Sequence, residues 1–159
     1  MVQTELSRIY PALSGEGHKV EIRYRTELEE SVEPETFLAA LHRRRHEETR
    51  RRQTLVGPHR DDLAIELDGV DIRVFGSRGQ QRLLALALRL AEVLPVREAV
   101  GTTPVVLLDD ALSELDPGAR ERVLREIRTA QQVFLTTPEP LRAAGAACWE
   151  VEGGGVTAA

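Results

Sequence analysis

The apolar positions of this chain recur with two periods, and the changes between them outline its elements. Phe37, Leu38 and Leu41 form a helical stripe behind Pro34, which suits a first turn, and predict a helix to about Arg52. Alternation follows in Leu63-Ala64-Ile65-Glu66-Leu67 and Val70-Asp71-Ile72-Arg73-Val74, two short strands joined by the hairpin signal Asp68-Gly69. Val20, Ile22 and Tyr24 alternate in the same way. Helical spacing returns in QQRLLALALRLAEVL, where Leu84, Ala87, Leu88 and Ala91 mark one face and Arg82, Arg89 and Glu92 fall elsewhere.

The sharpest change comes at Val105 to Leu108, an unbroken apolar run that stops at two adjacent carboxylates, Asp109 and Asp110. A buried parallel strand that delivers charge at its carboxyl end has this pattern. Asp116-Pro117 caps and starts a helix with Val123, Leu124 and Ile127 inward and Arg120, Arg122, Arg125 and Arg128 largely outward. Gln132 to Thr136 reads as the next parallel strand, stopped by Pro138 and Pro140. A short helix over 141–144, a last strand at Cys148 to Val151 and a frayed glycine-rich tail from Gly153 complete the reading. The fold class is α/β, a parallel sheet with flanking helices, without internal repeats.

Composition narrows the classes. No apolar run approaches the roughly 20 residues that span a bilayer, and VQTELSRIY after Met1 is no signal peptide, which points to a cytoplasmic protein without membrane partners. One cysteine, Cys148, excludes an internal disulfide framework. An aromatic content of 4% argues against base-stacking platforms, and a net charge of -5 requires any nucleic-acid contact to be local.

Carboxyl ends of strands are where open α/β sheets bind ligands, and paired carboxylates handle magnesium and water better than they fill a core. Upstream, Phe75-Gly76-Ser77-Arg78-Gly79-Gln80-Gln81-Arg82 is a glycine-bearing turn opening a helix, with Ser77 as its N-cap. Its backbone N–H groups suit an anion. Alone, such a turn is an ordinary capped helix; followed by the strand ending in Asp-Asp and then by SELDP, the order becomes specific.

The order SRGQQR, VVLLDD, SELD resembles the carboxyl-terminal half of an ABC-type ATPase head of the SMC/RecF class, with part of a helical accessory lobe before it. The double Asp, and Val56-Gly57-Pro58-His59-Arg60-Asp61-Asp62-Leu63, are closer to the RecF family of bacterial DNA replication and repair proteins. The resemblance covers at least residues 54–137. It implies ATP and Mg²⁺ as cofactors, with Asp109 holding the metal and Asp110 orienting the attacking water. Aspartate is one methylene shorter than the usual glutamate there, so weak turnover is expected. Ser77, Arg78, Gly79 and Gln80 resemble the ABC signature, which acts on the nucleotide of the opposite protomer and implies an ATP-dependent homodimer. Ser113, Glu114, Leu115 and Asp116 lie where the D-loop crosses that interface, although Asp116 is as readily a helix N-cap. Thr137 stands where ABC relatives often carry a γ-phosphate-sensing histidine. DNA and a RecR-like recombination mediator are the implied partners. The expected division is 1–53 accessory region, 54–152 half of the ATPase head, and 153–159 flexible tail.

A phosphate loop, G-x-x-x-x-G-K-[ST], is missing from the chain. Gly15-Glu16-Gly17-His18-Lys19 has the wrong spacing and precedes a strand, so it is rejected. The chain reads as the later part of a RecF-like ATPase; the alternative is a non-catalytic remnant or interaction module. In this fold the strand at 132–136 would adjoin the absent phosphate-loop strand, and its exposed edge is expected to make the isolated chain unstable or prone to swapping.

Arg43, Arg44, Arg45, Arg50, Arg51 and Arg52 share the first predicted helix with Glu47 and Glu48. They read either as a solvated face laced by Glu–Arg pairs or as a DNA-phosphate-contacting face. His59-Arg60-Asp61 imitates a kinase catalytic loop, but Glu66 stands where that motif needs Asn. His59 and Arg60 are expected to be structural, with proximity to nucleotide as the alternative. His18, His42 and His46 make no metal-ligand set with Cys148.

Overall fold

The computed structural model describes residues 1–26, 33–141 and 145–158. The chain groups into two compact units, Met1–Gly17 with Ser77–Ala159, and His18–Gly76.

The first unit is built on three helices. Helix α1 (Val2–Ser14) carries Leu6, Ile9, Tyr10 and Leu13 at the spacing of one helical face, each exposed by 2% or less. That stripe packs against α4 (Arg78–Ala91) and α6 (Pro117–Ile127). Helix α4 buries Leu83, Leu84, Leu86, Ala87, Leu90 and Ala91, a wider face than the predicted one, and Leu88 is only half-buried. Helix α6 contributes Ala119, Val123 and Ile127.

The unit boundaries differ from the expected division at residue 53. The amino-terminal residues join the half containing the Asp-Asp strand because the apolar stripe of α1 is buried only by packing on α4 and α6. Gly15 ends α1 in the left-handed conformation (φ 75°), its N–H bonding Pro11 O. Gly15 to Lys19 is thus a helix stop leading into a strand, as its rejection as a phosphate loop requires. Arg122, expected to point outward, turns inward instead. Its Nε donates to Leu13 O at 2.7 Å and its Nη2 to Ser14 O at 2.9 Å, satisfying carbonyls that the helix end leaves open.

Helix α5 (Val93–Val100), unpredicted, follows α4 after one residue. Pro95 falls in its first turn, where a missing N–H costs no helical hydrogen bond. Strands β4 (Val106–Leu108) and β5 (Val133–Leu135) pair in parallel with Leu107 opposite Phe134, the arrangement that the apolar run predicts. Leu108 is buried, whereas Leu107 and Phe134 are 73% and 52% exposed, so the other face of this two-stranded sheet is open.

Strands β6 (Trp149–Glu152) and β7 (Gly155–Ala158) form an antiparallel hairpin, which corrects the expectation of a frayed tail. Gly153 and Gly154, at φ 57° and 82°, supply the two left-handed residues of its tight turn. The helix expected over 141–144 falls on 142–144, outside the described residues.

The second unit contains a three-stranded antiparallel sheet, β1 (Val20–Arg25), β2 (Asp62–Leu67) and β3 (Val70–Asp71), in that order. Val20 pairs with Leu67, and both are buried with Ala64. Asp68 and Gly69 turn the hairpin at φ 50° and 81° as predicted. The second hairpin strand is shorter than expected. The Asp71 carboxylate accepts from Arg73 N, and the chain closes into the single turn α3 (Ile72–Phe75). Helix α2 (Pro34–Arg51) buries only Ala40.

Candidate functional site

The end of β4 gathers the chemistry. Leu108 O accepts from Thr136 N at 2.9 Å, so the strand pairing continues one step and brings Asp109 and Asp110 beside Thr136. The Thr136 hydroxyl donates to Asp109 Oδ1 and accepts from Asp110 N at 3.1 Å, holding side chain and backbone of the acid pair at once. Thr137, the residue singled out from sequence, is engaged elsewhere: its Oγ1 accepts from Glu139 N at 3.3 Å within the following turn. Thr136 is therefore the hydroxyl at the acids. Its signal was its place immediately after the strand.

Asp110 leaves the strand in the left-handed conformation (φ 46°), and Glu114 repeats it at φ 62°. For side-chain-bearing residues this costs about 1 kcal/mol each, so other contacts must hold the loop. Arg82 of α4 makes them. Its Nη2 donates to Asp110 O at 2.6 Å and to the Ser113 hydroxyl, and its Nη1 lies 3.3 Å from Glu114 Oε2. Ser113 Oγ donates in turn to Asp110 O at 3.1 Å. Arg120 Nε reaches Leu112 O at 3.2 Å, and Leu112 and Leu115 are buried beneath the loop. Asp116 closes the loop by accepting from Ala119 N at 2.9 Å, with Pro117 opening α6. The Ala119 N–H bond holds the Asp116 carboxyl below its ordinary pKa, assisted by the Arg122 charge. The N-cap reading of Asp116 is thus realised.

The Asp110 side chain is half exposed, yet its Oδ1 is buried without a hydrogen-bond partner among the described residues. A buried carboxylate oxygen lacking a donor suits a cation or an ordered water. Among the described residues no three His, Cys, Asp or Glu side chains group to hold a metal ion. Two carboxylates fit magnesium only in its usual role, shared with phosphate oxygens and water. Asp109, Asp110 and the Thr136 hydroxyl form the donor set available to it.

At the start of α4, Ser77 and Gln80 form a capping box: Gln80 N donates to Ser77 Oγ at 3.2 Å and Ser77 N to Gln80 Oε1 at 2.9 Å. Ser77 and Arg78 are exposed, and a Cβ on Gly79 would meet nothing within 4 Å. The glycine is not demanded by packing in this chain, so the helix start is open to an approaching group.

In the second unit, Arg44 and Arg51 pair with Glu47 at 3.0 and 2.6 Å, in keeping with a solvated face, and all six arginines of the run are exposed. His59 Nε2 lies 2.8 Å from Thr54 Oγ1, and Arg60 Nε donates to Thr54 O at 2.9 Å. Both side chains close their own loop.

A family model described as "AAA domain, putative AbiEii toxin, Type IV TA system" matches residues 21–141. The chain is 43% identical over 150 residues to the DNA replication and repair protein RecF of Heliobacterium modesticaldum, covering 87% of this chain and 40% of that protein. It is 45% identical over 134 residues to RecF of Herpetosiphon aurantiacus, covering 84% and 34%. Solved structures of the recombination mediator protein RecF in the RecFOR pathway, with ATPrS and with ATP, each superpose with a TM-score of 0.74, at 31% and 30% identity. Each match covers 99% of this chain and 43% of that one. The chain spans about two fifths of the length of the relatives it matches.

Proposed function

The chain belongs to the AAA-domain family matched over residues 21–141, as a homologue of part of RecF, and on that premise we propose that it supplies the acid pair, signature and D-loop of an ATP-gated DNA-repair head. The observation that carries this reading is the acid pair at the end of β4, braced by Thr136 and Arg82, with one Asp110 oxygen lacking a donor among the described residues. Asp109 holds Mg²⁺ with the nucleotide's phosphates, and the ion neutralises charge on those phosphates when bound. Asp110 accepts a hydrogen bond from the attacking water. Its short side chain limits its reach, so hydrolysis is slow and nucleotide acts as a switch.

Ser77, Arg78, Gly79 and Gln80 act on the nucleotide of a second copy. The exposed Ser77 and the open space over Gly79 support that assignment, as do backbone N–H groups at the start of a fourteen-residue helix. Ser113 to Asp116 border the same homodimer interface. DNA phosphates meet the exposed arginines among Arg43 to Arg52, and a RecR-like mediator is the protein partner. A cytoplasmic location suits these roles; no described helix is long and apolar enough to cross a membrane.

A second reading, a non-catalytic interaction module, draws support from the open face of the β4–β5 sheet, with Leu107 and Phe134 exposed. Titration of a fluorescent ATP analogue with and without Mg²⁺, on the protein expressed from its own complete gene, separates the two. The ATPase reading predicts Mg²⁺-dependent binding weakened by Asp109→Ala, and ATP-induced dimers lost in Ser77→Arg while that variant still binds nucleotide. Absence of Mg²⁺-dependent binding in the unsubstituted protein selects the interaction module.

A further inference from the structure

Arg82 joins the signature helix to both left-handed residues of the loop after the acid pair. It lies five residues beyond Ser77, about 7.5 Å along α4, on a helix whose opposite face is buried against α1. From that fixed base its Nη2 bonds the Asp110 carbonyl and the Ser113 hydroxyl while its Nη1 pairs with Glu114. The side chain is two-thirds covered, and its planar guanidinium fork fits two directions of approach that an ammonium does not. The loop's own backbone bonds are weak by comparison, Ser113 N to Asp110 O and Leu115 N to Leu112 O both at 3.4 Å, and the Ser113 hydroxyl adds one to Asp110 O at 3.1 Å. Asp110 therefore keeps its left-handed backbone, and with it the direction of its carboxylate, through the contact supplied by α4 together with its own N–H bond to the Thr136 hydroxyl.

We infer that Arg82 is a positioning residue: a strut that sets Asp110 and Glu114 from the signature helix and couples the site each protomer offers its partner to the acid pair of its own site. This rests on the ATPase reading of the acid pair. A displacement of the Ser77 end of α4 by a partner's nucleotide moves the same rigid helix that carries Arg82, and so reorients the Asp110 carboxylate. Communication between the two composite sites of a dimer follows from that linkage.

The test compares Arg82→Gln and Arg82→Lys with the unsubstituted protein, expressed from its complete gene, in ATP turnover and in amide hydrogen exchange. Arg82→Gln is expected to lower kcat at least about tenfold with KM for ATP within about threefold, because charge-assisted bonds to the loop are lost and the nucleotide's own contacts are not. Arg82→Lys restores part of kcat. Exchange at residues 110–115 rises in Arg82→Gln while exchange at 84–91 stays unchanged. An unaltered kcat overturns the proposal, as does accelerated exchange spread equally over α4, which makes Arg82 a general packing residue. If the unsubstituted protein binds no nucleotide, the ATPase reading fails, and the exchange comparison alone decides the strut: localised loosening of 110–115 supports it and no change overturns it.

Discussion

Thr136 and Thr137 are adjacent, chemically identical and unequal in the structure, which makes their valine variants a sharp pair. Val matches Thr in shape, so each substitution removes a hydroxyl with little change in packing. At 136 the lost hydroxyl bonds Asp109 Oδ1 and accepts from Asp110 N at 3.1 Å. A hydrogen bond to a charged group contributes about 1.5–3 kcal/mol, and a neutral one about 0.5–1.5. Both acids are accessible to water, which recovers much of this, leaving about 1–2 kcal/mol of lost positioning. At about 1.4 kcal/mol per tenfold, Thr136→Val weakens Mg²⁺-dependent nucleotide binding by roughly 5- to 30-fold. At 137 the hydroxyl accepts only from Glu139 N in an exposed turn, and the expected change is under about twofold. Magnesium titrations of fluorescent ATP binding on both variants give the comparison directly. A larger loss at Thr137 than at Thr136 would refute the geometry and restore the sensor position expected from the family pattern.

Three other variants test the frame around the site. Arg122→Met keeps the apolar stem but removes both bonds to the end of α1, and is expected to cost about 2–4 kcal/mol, read as a lower urea midpoint by circular dichroism. Asp116→Ala should destabilise at neutral pH, and by progressively less as pH falls below 3.8. The folded carboxyl sits below its ordinary value of 3.8, so its contribution is complete above that value and disappears as pH falls through the folded one. Thermal melts across that range supply the check. Leu107→Lys with Phe134→Lys places charge on two cross-strand neighbours of the open sheet face, and light scattering of the isolated chain should show less self-association if that face drives it.

The site was more legible than the scaffold. An apolar run halted by two acids can be little other than a strand delivering charge, and Ser77 with Gln80 three residues on spells a capping box outright. The Asp68-Gly69 turn followed from an equally local rule, whereas the β4–β5 adjacency followed from the family resemblance. Helix α1 carried a readable stripe at Leu6, Ile9, Tyr10 and Leu13, but Pro11 and the intervening polar residues masked it. Its partners lie some 75 to 120 residues away, beyond the reach of periodicity. The inward turn of Arg122 and the role of Arg82 are long-range contacts of residues that composition alone assigns to solvent. Gly153 and Gly154 looked like fraying and instead make a turn, because two adjacent glycines meet its need for two left-handed residues.

Mixing two inactive variants tests the central claim, that the signature serves the acid pair of another copy. Ser77→Arg protomers keep their acids and Asp109→Ala protomers keep their signature, so a mixed dimer holds one intact site. ATP turnover should reappear when the two are combined in equal amounts, with neither active alone. Turnover that stays at the level of the separate variants would mean that the signature and the acids do not meet across a dimer.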